Sequence, residues 1–161
     1  MESGELWKLR KQVLEVLGSK LNIDKCLLIM YYLLKTEPSE YSYEDLLRDG
    51  ITRWDGVKNP LAQKYISLMK VGDTCFIYHT GNIKAVVGLA RVISEPYKDD
   101  NNLWVVDLEP VGVLKKPVSL KALRSEPLFK DSPLLRMPRL SVVPLSNEQA
   151  ERIMELSEAF N

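Results

Sequence analysis

The chain has 161 residues, 45% of them apolar, which is enough for one packed core and too few for two domains of ordinary size. Its 22 Lys and Arg balance 22 Asp and Glu, excluding the global positive field that drives sequence-blind nucleic-acid binding and leaving only local attraction. Two cysteines, Cys26 and Cys75, both set in apolar runs, exclude a secreted disulfide scaffold and point to a reducing compartment.

The charges are nonetheless unevenly placed. Over residues 115–139 seven basic residues stand against Glu126 and Asp131, a net charge of +5, whereas residues 95–109 carry five carboxylates against Lys98. Such runs describe either solvated surface or one basic and one acidic face. No apolar run reaches the roughly 18 residues that span a bilayer. Glu2 and Glu5 stand where a signal peptide carries positive charge, so the expectation is a soluble, cytoplasmic protein.

In chain order, residues 4–17 place Leu6, Leu9, Val13, Val16 and Leu17 at spacings of three and four, which predicts an amphipathic helix. Its stripe needs a cover, either the domain that follows or a second copy of the chain, so a homodimer through this helix is one of two outcomes. Residues 26–34 read as a strand buried on both faces, ending at the polar segment Lys35-Thr36-Glu37-Pro38. Ser42 and Asp45 form a capping box for a short helix to Arg48, and Asn59-Pro60 a cap and first turn for another through Leu68. Residues 74–80 and 85–93 predict two antiparallel strands around Gly81-Asn82, and residues 103–114 a further strand or pair interrupted at Pro110 and Gly112. Ser119 caps a helix to Arg124, residues 140–143 form a brief strand, and Ser146 with Gln149 opens a last helix to Ser157. Short strands interspersed with short helices favour an α+β fold, a small, mostly antiparallel barrel with helices packed around it.

Familiar catalytic chemistry finds little support. His79 is the sole histidine and no paired-cysteine spacing exists, so neither a zinc site nor any other metal or cofactor is expected. There is no glycine-rich phosphate loop and no nucleophile elbow.

Four separated segments instead share aromatic and hydrogen-bonding residues: Lys35-Thr36-Glu37-Pro38, Trp54-Asp55-Gly56-Val57-Lys58-Asn59, Tyr78-His79-Thr80 and residues 136–142. In order and spacing they resemble the EVE family, over about residues 30–156. Met69-Lys70-Val71-Gly72-Asp73, Glu95-Pro96-Tyr97 and Trp104-Val105-Val106-Asp107 match between them.

The resemblance implies a PUA-like barrel related to the YTH and ASCH domains, spanning 30–161 behind a helical extension at 1–29. It also implies a non-enzymatic reader that holds one flipped-out, modified base of cytosine type, in DNA or RNA. Such a reader needs a face on which the base stacks and fixed polar groups for its edge. On that reading Trp54 is the stacking residue and Glu37 accepts from an exocyclic amine. Lys35, Thr36, Pro38, Val57, Asn59, Tyr78, His79, Thr80 and Ser141 complete the pocket, and Lys35, Arg136 and Arg139 meet flanking phosphates. Each has an ordinary alternative, Trp54 as core, Asn59 as helix cap, His79 as a satisfied buried histidine. The chain departs from the family where Pro60-Leu61-Ala62-Gln63 replaces a common Tyr-Gln-Ala-Arg, and where Met137 replaces a frequent glutamine. Two other readings stand beside the reader: an enzyme on a modified nucleoside or tRNA using Glu37 or His79 for proton transfer, and a protein-interaction domain with a vestigial pocket.

Overall fold

A computed structural model describes residues 29–158. The helix expected at 4–17 and Cys26 lie outside the described residues. Seven strands form one mixed sheet: β1 Tyr31–Thr36, β2 Thr52–Trp54, β3 Thr74–His79, β4 Ala85–Val92, β5 Tyr97–Lys98, β6 Trp104–Ser119 and β7 Val142–Leu145. Their order is β2-β6-β4-β3-β1-β7, with β5 paired to β6, and the sheet curls into a half-barrel. All pairs are antiparallel except β1 with β3, where Tyr31 faces Thr74 and Thr36 faces His79. A parallel pair needs a crossover, and residues 37–73 supply it, carrying helices α1 Tyr43–Asp49 and α2 Pro60–Ser67 with β2 between them.

Local signals set the helix starts. Ser42 Oγ accepts from the Asp45 amide while the Asp45 carboxylate accepts from the Ser42 amide, the reciprocal pair expected at the start of α1. Asn59 Oδ1 accepts from the amides of Leu61 and Ala62 ahead of Pro60 in α2. Ser119 and Ser132 cap α3 Leu120–Arg124 and α4 Pro133–Arg136, and α5 Asn147–Glu158 is the last described element.

Two expectations change. The strand expected to break at Pro110 and Gly112 runs unbroken over sixteen residues. It does so because pairing with β4 skips from Ala90–Pro110 to Leu89–Gly112, leaving Val111 as an extra residue where a proline's missing amide is harmless. The strand expected to end at residue 34 continues through Thr36, its first four residues buried and Lys35 and Thr36 partly so.

The core is pinned by Tyr43. Its hydroxyl donates to Leu89 O at 2.6 Å on β4 and accepts from the Gly112 amide at 3.0 Å on β6, while burial pushes the phenol up to about 12. The ring lies so close over β4 that a Cβ at Gly88 would sit 2.5 Å from its carbons. Gly88→Ala is therefore expected to lower stability by about 1–3 kcal/mol through overpacking, and Tyr43→Phe by about 1–3 kcal/mol through an unsatisfied Gly112 amide. Urea midpoints of both variants measure this; unchanged midpoints would show that the ring is not seated between the strands.

Candidate nucleic-acid interface

The site is built at the exit of β1. Thr36 Oγ1 donates to Tyr41 O at 2.8 Å, and Glu37 O accepts from the amides of Glu40 and Tyr41. This tight turn sets Tyr41 just ahead of the Ser42 cap, and its hydroxyl donates to Asp49 Oδ2 at 2.8 Å. β2 hangs on β6 with Trp54 opposite Val106, and the Tyr41 and Trp54 rings meet edge to face, 6.2 Å apart at 81°. Between the turn and β2 lies a cavity of about 430 Å³ lined by Thr36, Tyr41, Thr52, Arg53, Trp54 and Asp55. Trp54 is only 7% exposed and belongs to the core cluster, so it offers a strip of indole rather than an open face; Tyr41 is the less buried ring. Arg53 Nε lies 3.1 Å from Asp55 Oδ2 in an exposed pair at the rim.

Glu37 is not among the residues lining this cavity. Its carboxylate accepts from the hydroxyls of Thr80 at 3.0 Å and Ser39 at 3.1 Å, and these bonds hold it below the usual carboxylate range. A Cβ at Gly81, whose φ is +72°, would fall 2.7 Å from Glu37 Oε2, so only glycine lets the β3–β4 turn approach the carboxylate this closely. Glu37 and Thr80 thus tie two turns together at one end of the sheet, with Pro38 inside the first of them.

His79 faces the same side as Thr36. Its Nε2 accepts from the Tyr43 amide at 3.0 Å, which places the ring proton on Nδ1. Nδ1 is buried and has no hydrogen-bond partner among the described residues. Burial lowers the imidazole's basicity, while Glu44 and Glu37 pull the other way.

On the opposite face, Lys35 Nζ donates to Pro138 O at 2.9 Å and stands 5.9 Å over the Tyr78 ring; its burial lowers its basicity. The Lys35 amide donates to Ser141 O at 2.9 Å. Beside Pro138 a second, largely apolar cavity of about 360 Å³ is lined by Asn59, Met137, Pro138, Arg139 and Leu140. The sequence-selected residues therefore divide: Thr36 and Trp54 share the first cavity, and Asn59 and Arg139 the second. Lys35, Tyr78 and Ser141 are grouped at the β1–β3 and β1–β7 pairings. Val57 packs on the core, its carbonyl accepting from Gln63 Nε2 at 2.8 Å. Arg136 is bound to Asp131 at 2.6 Å.

Tyr41, Thr52 and Arg53 were missed by sequence reasoning, and Asp55 was quoted only as part of a block. Thr52 and Arg53 sit in a three-residue strand too short to show alternation, and Tyr41 is placed by a turn hydrogen bond that periodicity does not report.

A model of the EVE domain matches residues 30–156. Among curated proteins, thymocyte nuclear protein 1 of Rattus norvegicus is 32% identical and that of Homo sapiens 30%, each alignment covering 80% of this chain and 74% of the relative. A Rhodopseudomonas palustris protein solved by NMR superposes with a TM-score of 0.77 at 32% identity, covering 83% of this chain and 96% of the other. Human THYN1, crystallised in complex with 5-methylcytosine containing DNA, superposes with a TM-score of 0.74 at 26% identity over 80% of this chain and 98% of the other. An ASCH protein of Zymomonas mobilis shares the fold at 12% identity, covering 78% of this chain and 94% of the other with a TM-score of 0.53. The expected PUA-like fold stands with these neighbours. The cytoplasmic expectation does not: the curated relatives are named as nuclear proteins and point to the nucleus.

The histidine makes a pH prediction. With its folded-state basicity below the ordinary 6.5, the folded state binds fewer protons than the unfolded chain, so stability is fully present above about pH 6.5 and falls as pH drops through the folded value. Protonation also removes the acceptor for the Tyr43 amide. The urea midpoint of the protein should fall between pH 7.5 and 5.5 by more than that of His79→Gln; parallel curves for the two proteins would refute the assignment.

Proposed function

The chain belongs to the EVE domain family, and on that footing we propose that it is a non-enzymatic, DNA-binding module that reads a modified base, of cytosine type, turned out of the stack into the cavity beside Trp54 and Tyr41. The observation that carries the reading is that cavity: about 430 Å³, lined by two aromatic residues, with Thr36, Thr52 and the Arg53–Asp55 pair at its wall. Its size suits one heterocycle with solvent. The aromatic walls supply stacking, and the polar groups supply donors and acceptors for a base edge. The DNA complex of human THYN1, similar in fold over most of both chains, supports DNA as partner and 5-methylcytosine as the first probe. The family match at residues 30–156 supports a reader domain of 30–161 with residues 1–29 as an extension.

Two roles differ from those first expected. Glu37 serves as organiser of the rim, since its carboxylate is taken up by Thr80 and Ser39, and Asp55 takes its place as the carboxylate at the cavity. His79 spends Nε2 on a backbone amide, which leaves it a structural part and argues against the proton-transfer alternative.

Stacking is worth roughly 1–3 kcal/mol per base. Tyr41→Ala and the milder Trp54→Phe should therefore reduce affinity for a 5-methylcytosine oligonucleotide by about 5- to 150-fold while binding of the unmodified strand changes less. Fluorescence anisotropy at fixed salt, with an RNA arm of the same sequence, measures it. Equal affinity of the parent protein for modified and unmodified strands would sink the reading.

A further inference from the structure

The +5 segment at residues 115–139 is not absorbed by the cavity, and the structure shows what becomes of its charges. Its two carboxylates are both engaged: Glu126 Oε1 lies 2.8 Å from Arg152 Nη2 and Asp131 Oδ1 lies 2.6 Å from Arg136 Nη2. Lys121, Arg124 and Arg139 are exposed and make no ion pair among the described residues.

The sheet gathers these cations at one end. Lys35 and Tyr78 are register partners near the ends of β1 and β3. β4 begins at that end, with Ala85 opposite both His79 and Ser119. Lys84, exposed, immediately precedes β4, and its carbonyl accepts from the Leu120 amide at 2.8 Å, tying the turn to the start of α3. Helix α3 then carries Lys121 and Arg124; burial pushes the Tyr78 phenol up, and the charge of Arg124 nearby offsets part of that rise. On the other side Lys35 Nζ reaches Pro138 O, next to Arg139. In the order β7-β1-β3-β4-β6, the cations Arg139, Lys35, Lys84, Lys121 and Arg124 cross the strand ends. Four inter-strand steps make this row about 19 Å long, the span of roughly five or six phosphates along one strand of a duplex. Thr36 of the cavity is the residue after Lys35, so the row passes within one residue of the cavity at the end of β1.

We propose that this row is a track for the DNA backbone flanking the captured base, with Arg124 and Lys121 of α3 and Lys84 of the β3–β4 turn as phosphate-binding residues beside Lys35 and Arg139. The inference rests on the reading of the cavity as a base pocket and adds the path of the strand. Arg136, held by Asp131, is left out of the row.

The test is the salt dependence of binding. Affinities of the full chain for a 5-methylcytosine duplex and its unmodified counterpart are measured across a series of salt concentrations, for the parent protein, Lys121→Gln/Arg124→Gln, and Lys98→Gln. Lys98 lies in β5 opposite Trp104, at the end of β6 far from Ser119 and the row, and serves as the charge-loss control. Each lost phosphate contact should lower the slope of log affinity against log salt by about 0.9, so the double variant loses up to about 1.8 while Lys98→Gln keeps the parent slope. The ratio of modified to unmodified affinity should stay unchanged, because phosphate contacts carry no base identity. An unchanged slope in the double variant, or a loss equal to that of Lys98→Gln, overturns the track even if the parent protein prefers the modified strand. A parent protein without that preference, whose slope still drops in the double variant, overturns the base pocket and keeps the track. Failure of the parent to bind either duplex at low salt overturns both.

Discussion

Everything at the candidate site depends on one residue being held in one place. Tyr43 opens α1, and three of its features reach the sheet: its amide meets His79 on β3, its hydroxyl bridges β4 and β6, and its ring fills the space left by Gly88. A phenol sharing its oxygen between a donor and an acceptor on neighbouring strands satisfies two backbone groups that would otherwise be costly to bury. Because Ser42 and Tyr41 directly precede it, the same anchorage fixes the turn that brings Tyr41 to Trp54. The cavity is therefore a by-product of how the crossover between two parallel strands is fastened down.

That dependence explains which parts were legible in the sequence. Caps are local: Ser42 with Asp45, Asn59 with Pro60 and Ser146 with Gln149 all make the bonds that their spacing announces. Strands β3 and β4 are also written locally, as apolar runs around a glycine-bearing turn. The β4–β6 pairing was not legible at its irregularities, because whether Pro110 breaks a strand depends on what its partner strand can skip. Nor was the crossover: β2 is three residues long, and its place opposite β6 is set by Gln63, which bonds the carbonyl of Val57 and both backbone groups of Trp104. Gln63 stands within the stretch where the chain departs from the family's common Tyr-Gln-Ala-Arg run, and its amide here stitches α2 and its leading loop to β6.

The site itself was half legible. Three of the four blocks meet at one end of the sheet and the Trp54–Asn59 block reaches them through the two cavities, but alternation along β1 sends neighbours Lys35 and Thr36 to opposite faces. A block of consecutive residues thus serves two surfaces at once, one apolar and aromatic, one cationic. Glu37 illustrates the limit of reading residues singly. A carboxylate at a strand exit reads as a ligand group, yet Thr80, forty-three positions away, occupies it. His79 likewise reads as a pocket-wall residue, and its Nε2 is taken by the Tyr43 amide.

The sixteen-residue strand β6 has a consequence for how the molecule comes apart. It pairs with β2, β4 and β5, and it leads without a loop into α3. Release of β6 strips β2 and β5 of their only partner strand, whereas β7, at the far edge, is bonded to β1 alone and can part while β6 stays paired. Opening of β6 is consequently a cooperative event that takes β2 and β5 with it, so the amides these strands share exchange with solvent together.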